Sequence, residues 1–290
     1  MTAIPRTTGP TGTTSARRSA GDESRYRFRH LLAAEWLKWW TLRSIFWALV
    51  LGALAVVGIN AYTASSDSES WPSLSPDAQA DLGPVWAAQD AFTPASAMIL
   101  VLVCGTLGAM ALVGEHSSGL VRTTFAAVPA RHAVVVAKGL VIAGVMALYG
   151  AVLAVASFGT SQAILAGRGI GLPWDHPGAA RLMAASALLA PISAMTGLAL
   201  GALIRHAAAT LVTVSAVLLL LPQMVGERSA WSATVRHAML LPAWEHLVEI
   251  ADWPSSPEYP ATTGGSWAAY VGWALVPVLL AVLATRRMDL

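Results

Sequence analysis

Six stretches of this chain, at 44–64, 95–113, 134–156, 181–203, 207–225 and 267–284, are almost continuously apolar. Each is close to the roughly 20 residues that a helix needs to cross a hydrocarbon core. A segment in lipid must satisfy its own backbone hydrogen bonds, so the pattern predicts an all-α, polytopic membrane protein with six transmembrane helices. Polarity returns in two informative places. A short basic insert, GEHSSGLVRTTFAAVPARH, occupies 114–132, and the longer segment 226–266 mixes polar turns with apolar runs.

Composition agrees with that reading. Hydrophobic residues make up 56% of the chain and charged residues 12%, with a mean hydropathy of +0.59, against about 25% charged in a soluble domain. The distribution of Lys and Arg sets the orientation, because basic short loops stay on the cytoplasmic side. With the amino terminus inside, fourteen of the 18 basic residues fall on the cytoplasmic face, and only Arg168, Arg181, Arg228 and Arg236 lie outside. The first outer loop carries Asp67, Glu69, Asp77, Asp81 and Asp90 and no base. Both termini are therefore expected in the cytoplasm. A net charge of +2, with the basic excess confined to membrane-proximal sequence, argues against a nucleic-acid partner and for the lipid bilayer.

Residues 1–24 are rich in Thr, Ser, Gly, Pro and Arg, and too poor in large apolar side chains to offset the entropy of ordering. A disordered cytoplasmic tail is expected there. The leader before the first apolar stretch is too long for a secretory signal, so that stretch reads as a permanent span. At 25–43 the pattern predicts an amphipathic interfacial helix, with Phe28, Leu31, Leu32, Trp36, Trp39 and Trp40 near one face and Arg29, Lys38 and Arg43 available to lipid phosphates. The alternative is that these residues simply begin span one.

Local signals refine the six-span domain at 44–290. Thr93 and Pro94 form a helix start, the hydroxyl placed to cap free amides and the proline suited to the first turn. Only Ile204, Arg205 and His206 separate spans four and five, which makes a tight antiparallel hairpin. Gly197 and Gly201 form a small-xxx-small pair that allows close helix approach. The outer segment 226–266 reads either as short helices dipping into the outer leaflet, broken at Pro242, or as a surface cap.

Catalytic patterns are missing from the sequence. Gly114 and Gly119 have P-loop glycine spacing, but Leu120 and Val121 stand where the lysine and hydroxyl would have to be. None of the seven histidines sits in an H-E-x-x-H arrangement, and no G-x-S-x-G motif occurs. Glu115 with His116, and Glu245, His246 and Glu249, lie near aqueous boundaries where solvated charges are ordinary. Cys104, the lone cysteine, reads as a small packing residue. The spans are read as nearly free of ionisable groups, which disfavours an ion-coupled carrier. No cofactor, metal or catalytic residue is expected, and energy for any transport must come from another chain.

Two motifs carry a family resemblance. EWLKWWTLRSIFWAL at 35–49 is similar to the amphipathic approach to span one, and EHSSGLVRTTFAAVPARHAVVVAKGL at 115–140 to the cytoplasmic coupling segment, of permease subunits of ABC-2 type ABC transporters. After the tail, nearly the whole chain resembles that family in arrangement. The resemblance implies a short helix at 117–127 that docks into a groove on a separate ABC ATPase subunit, with Pro129 turning the chain back. It also implies a second permease copy, as a homodimer, enclosing the pathway. Glu115, Gly119, Arg122, Thr123 and Pro129 become the ATPase-coupling residues, and Trp36, Lys38, Trp39, Trp40 and Arg43 the interfacial helix. Export of a hydrophobic drug, antibiotic, peptide or lipid-like compound follows as the expected function. The rivals are a non-transporting membrane scaffold or immunity protein and, more weakly, an intramembrane enzyme. Topology is directly testable: a carboxyl-terminal reporter that fluoresces only in the cytoplasm should be bright when fused after Arg205 or Leu290 and dark after Asp81 or Ser229.

Overall fold

A computed structural model describes residues 28–117, 131–250 and 258–286. The described residues are all-helical, with six helical segments long and apolar enough to cross a membrane. The tail assigned to 1–24 lies outside the described residues, as does most of the 114–132 insert.

The described residues open with α1 (Phe28–Thr41), which ends at an extended Leu42 before α2 (Arg43–Ser70) begins. The break makes α1 a separate helix. Its inner face carries Leu31, Leu32, Glu35, Lys38 and Trp39, while Trp36 and Trp40 point outward and lie 5.6 Å apart. The apolar face assigned from sequence is therefore divided. At 1.5 Å per residue α2 is about 42 Å long, so Asp67 and Glu69 sit in its last turns.

A further helix, α3 (Pro76–Gln89), occupies what reads in sequence as the first outer loop. Its start was visible in retrospect: Ser75 accepts from Ala78 N, Pro76 opens the first turn and Asp77 follows. Then α4 (Pro94–Ser117) begins at Thr93, whose Oγ1 accepts from Ser96 N at 3.2 Å. Asn60 of α2 accepts from both Thr93 N and Thr93 Oγ1 at 2.9 Å. This buried amide fixes where span two starts.

α5 (Arg131–Ala166) runs ten residues beyond the apolar stretch at 134–156. The extension contains Ser161 and Gln162, which depress hydropathy but are buried and partnered. Ser161 Oγ donates to Asp90 O at 2.6 Å and Gln162 Nε2 to Ala87 O at 2.8 Å, tying α5 to the α3–α4 corner.

The centre of the bundle is α6 (Pro177–Ile204), with Leu182, Ala185, Leu189, Ala190, Ala194 and Leu198 buried. Small residues permit its close contacts. A Cβ on Gly108 of α4 would overlap the Ala194 carbonyl, and one on Gly197 the Gly105 carbonyl. Pro191 lacks the N–H that would pair with Ala187 O, and Gly150 of α5 packs over that carbonyl. Arg205, in the left-handed region at φ 58°, ends α6 and starts the hairpin into span five.

Span five consists of α7 (Ala207–Ser215), a π-helical turn (Ala216–Leu220) and α8 (Leu221–Met224). Pro222 offers no N–H at the end of this turn, and Leu221 N reaches back to Ala216 O. Next come α9 (Ala230–His237) and α10 (Leu240–Val248). Pro242 is not the break between them. It lies in the first turn of α10, where no intrahelical N–H is required, and the break falls at Ala238 and Met239. Trp244 of α10 is buried and donates to Ser186 of α6 at 3.1 Å. The last helix, α11 (Thr263–Arg286), joins α6 through Tyr270 OH and Ala185 O at 3.0 Å.

Large apolar side chains remain exposed along the outer faces, including Phe46, Leu51 and Leu54 of α2, Leu148 and Val152 of α5, and Leu275 and Leu279 of α11. Exposed apolar surface on this scale belongs in lipid. The α4–α6 crossing is sensitive to a single methyl group. Gly197→Ala should destabilise the protein by about 1–3 kcal/mol. Gly144→Ala, which meets nothing within 4 Å, should be neutral or stabilising; thermal unfolding in mild detergent compares the two.

Candidate functional site

Four charged side chains meet where α1, α4 and α5 converge, at the end of the bundle from which residues 118–130 depart. Glu35 and Lys38 lie one turn apart on the inner face of α1, Glu115 near the end of α4, and Lys138 two turns into α5. Lys138 Nζ lies 2.6 Å from Glu35 Oε2 and 2.9 Å from Glu115 Oε1. Lys38 Nζ lies 2.7 Å from Glu35 Oε1 and 3.0 Å from Glu115 Oε1. The charges alternate around a closed ring: Lys38, Glu35, Lys138, Glu115.

Burial is uneven. The side chains of Lys138 and Glu35 are only 3% and 4% exposed, whereas that of Lys38 is 42% exposed. Desolvating an ion costs several kcal/mol, and attraction offsets that cost only when geometry and hydrogen bonding are good. Here each lysine contacts both carboxylates and the ring is neutral. For Lys38, burial favours the neutral amine, but hydrogen bonds to Glu35 and Glu115 outweigh it and raise the pKa above 10.5. The associated stability is fully present below 10.5 and is lost as pH rises through the higher folded value.

The ring gathers two of the residues singled out from sequence, Glu115 and Lys38. Besides the face it presents to the membrane boundary, the Lys38 ammonium is engaged by two carboxylates, a role that the sequence did not indicate. Trp39, 7% exposed, is buried in the hydrophobic core; Trp36, Trp40 and Arg43 are exposed. Gly119, Arg122, Thr123 and Pro129 lie outside the described residues.

Glu35 and Lys138 escaped the sequence reading. Lys138 was counted with the cytoplasmic bases although it lies inside the 134–156 apolar stretch, so that span is not free of buried charge. A lysine inside VVVAKGLVIAG and an acid three residues before a lysine on an apolar helix were the available signals. Sequence alone does not bring positions 35, 115 and 138 together.

At the opposite end of the bundle a cavity of about 340 Å³ lies against α3, α9 and α10, bordered by Phe92, Glu227, Arg236, Glu245 and His246. Arg236 pairs with Glu227 at 3.2 Å and with Glu245 at 3.4 Å. Burial raises the Glu245 pKa, with Arg236 opposing and Glu227 adding to the shift; burial also lowers that of His246. His246 Nδ1 is 3.9 Å from Glu249 Oε2, too long for a hydrogen bond, so these two do not form an acid–base dyad.

No protein-family model matches the chain, and no curated protein matches it. The ring therefore has to be tested on its own chemistry. Lys138→Met should cost about 3–5 kcal/mol of stability by leaving two carboxylates to share Lys38, with one buried negative charge uncompensated, and Lys38→Met much less. Adding Glu35→Gln to Lys138→Met should recover part of the loss, a coupling readable by a double-mutant cycle in detergent-solubilised protein.

Proposed function

We propose that the chain is the membrane permease subunit of an ABC-2 type ABC transporter. It exports a hydrophobic drug, antibiotic, peptide or lipid-like compound with energy from a separate ATPase, and works as a homodimer with both termini cytoplasmic. The observation that carries this reading is the ion ring at the root of the 118–130 segment. Glu115 stands just before that segment and Lys138 two turns into the helix that follows it, and both are fastened to α1 through shared partners.

A push on the intervening segment would therefore move α1, α4 and α5 together. Such a joint is what a coupling element needs, because an ATPase can drive transport only by favouring one arrangement of the spans over another. The central position of α6, packed tightly against α4 and α5 through small residues, gives that movement a route into the bundle. A cleft of about 460 Å³ among α5, α6 and α11, lined by Leu140, Ile192, Met195, Tyr270 and Val278, suits an apolar cargo.

On this reading Gly119, Arg122, Thr123 and Pro129 form the surface that meets the ATPase, and Arg122 supplies charge at the contact. The tagged chain, purified in mild detergent from its native host, should carry a soluble P-loop ATPase. Arg122→Glu should weaken that association or coupled ATP hydrolysis by about tenfold or more while leaving membrane insertion intact. Repeated absence of an ATPase from an intact complex, or unchanged coupling in Arg122→Glu, would shift the assignment to a scaffold or immunity protein.

A further inference from the structure

We infer that the elbow between α1 and α2 is a binding site for one anionic phospholipid, with Arg43 on the headgroup phosphate and an acyl chain in the adjoining aromatic cleft. The cleft has a volume of about 270 Å³ and is lined by Trp39, Trp40, Arg43, Phe46, Trp47 and Val145, among others. It forms because α1 stops at Thr41 and the chain turns through the extended Leu42 before α2 begins. The last turn of α1 and the first turns of α2 become its walls, and Val145 of α5 contributes from the side.

Charge identifies the headgroup. Lys38 and Lys138 are neutralised within the ion ring, whereas Arg43 is exposed and has no carboxylate or carbonyl partner among the described residues. It is the one base on the cleft wall, and the other lining residues bring no acid. A guanidinium offers several donors in a planar fork that matches phosphate oxygens. The rest of the lining is indole, phenyl and aliphatic, suited to the first methylenes of a chain and to the interfacial depth where Trp concentrates.

The occupant is a lipid and not a soluble phosphate because the same cleft is mostly hydrocarbon-lined and opens beside the exposed Phe46 and Trp47 of span one. Trp39 is shared: it lines the cleft and follows Lys38 of the ring in sequence. A bound lipid therefore braces the outer side of α1 while the ring holds its inner side. The site needs only that the helices reside in a bilayer and does not depend on the permease assignment.

The test uses the full chain, stripped in detergent and exposed to equimolar phosphatidylglycerol and phosphatidylcholine, with retained lipid counted by native mass spectrometry. One phosphatidylglycerol per chain should be retained preferentially. Arg43→Gln should reduce that preference by about fivefold or more, while Arg228→Gln, an exposed arginine at the opposite end of the bundle, should leave it unchanged. Val145→Phe narrows the cleft without altering charge and should also expel the lipid, which keeps the proposal testable if Arg43→Gln folds poorly. Equal retention of the two lipids, or a preference that survives Arg43→Gln, would overturn the site. Displacement by inorganic phosphate at lipid-equivalent concentration would overturn the lipid assignment.

Discussion

The ion ring of Glu35, Lys38, Glu115 and Lys138 is the constraint on which the arrangement at one end of the bundle depends. Charges this deeply placed are costly unless every one is partnered, so α1, α4 and α5 are restricted to positions in which four side chains from three helices meet. Apolar packing alone would tolerate small slides and rotations of α1 along the bundle. The ring does not, because distances of 2.6–3.0 Å close simultaneously only in one register. It acts as a specificity device whose stabilising value is secondary.

The remainder of the bundle is organised by a different principle. Around α6 the interfaces are built from glycine and alanine, where backbone carbonyls of one helix sit against the α-carbons of another. In lipid the hydrophobic effect does not drive helices together, so close van der Waals approach and buried hydrogen bonds must do so. Asn60 on the Thr93 cap, Gln162 on Ala87 and Trp244 on Ser186 supply those bonds at the end away from the ring. One end is held by the buried charge ring and the other largely by neutral hydrogen bonds, with the more exposed Arg236 pairs at its surface and the glycine crossing between the two ends.

This division bears on the functional reading. A charged joint at the foot of α4 and α5 is stiff, and it adjoins the segment proposed to meet an ATPase. The elbow cleft places a second support on the other side of α1, where the bilayer itself becomes a ligand. The helix is therefore positioned by protein charge inward and by lipid charge outward, and both supports use a basic residue close to the membrane boundary.

The six spans and the all-helical character were legible in the chain because lipid penalises unsatisfied backbone and exposed charge so heavily that hydropathy reports them directly. The Thr93–Pro94 start and the small residues at Gly197 and Gly201 were legible for local reasons, since capping and close approach are written in a few adjacent positions. What escaped was non-local or masked by polarity. α3 carries a good amino-terminal signal but too many acids to be read as more than loop, and the last ten residues of α5 are disguised by Ser161 and Gln162, whose partners Ala87, Asp90 and Leu172 lie outside α5. Lys138 read as one more basic residue on the inner face. Only the tertiary structure places it against Glu35, 103 positions away, because the sign and burial of a charge pair depend on which helix faces lie together, and hydropathy along one strand of sequence does not encode that.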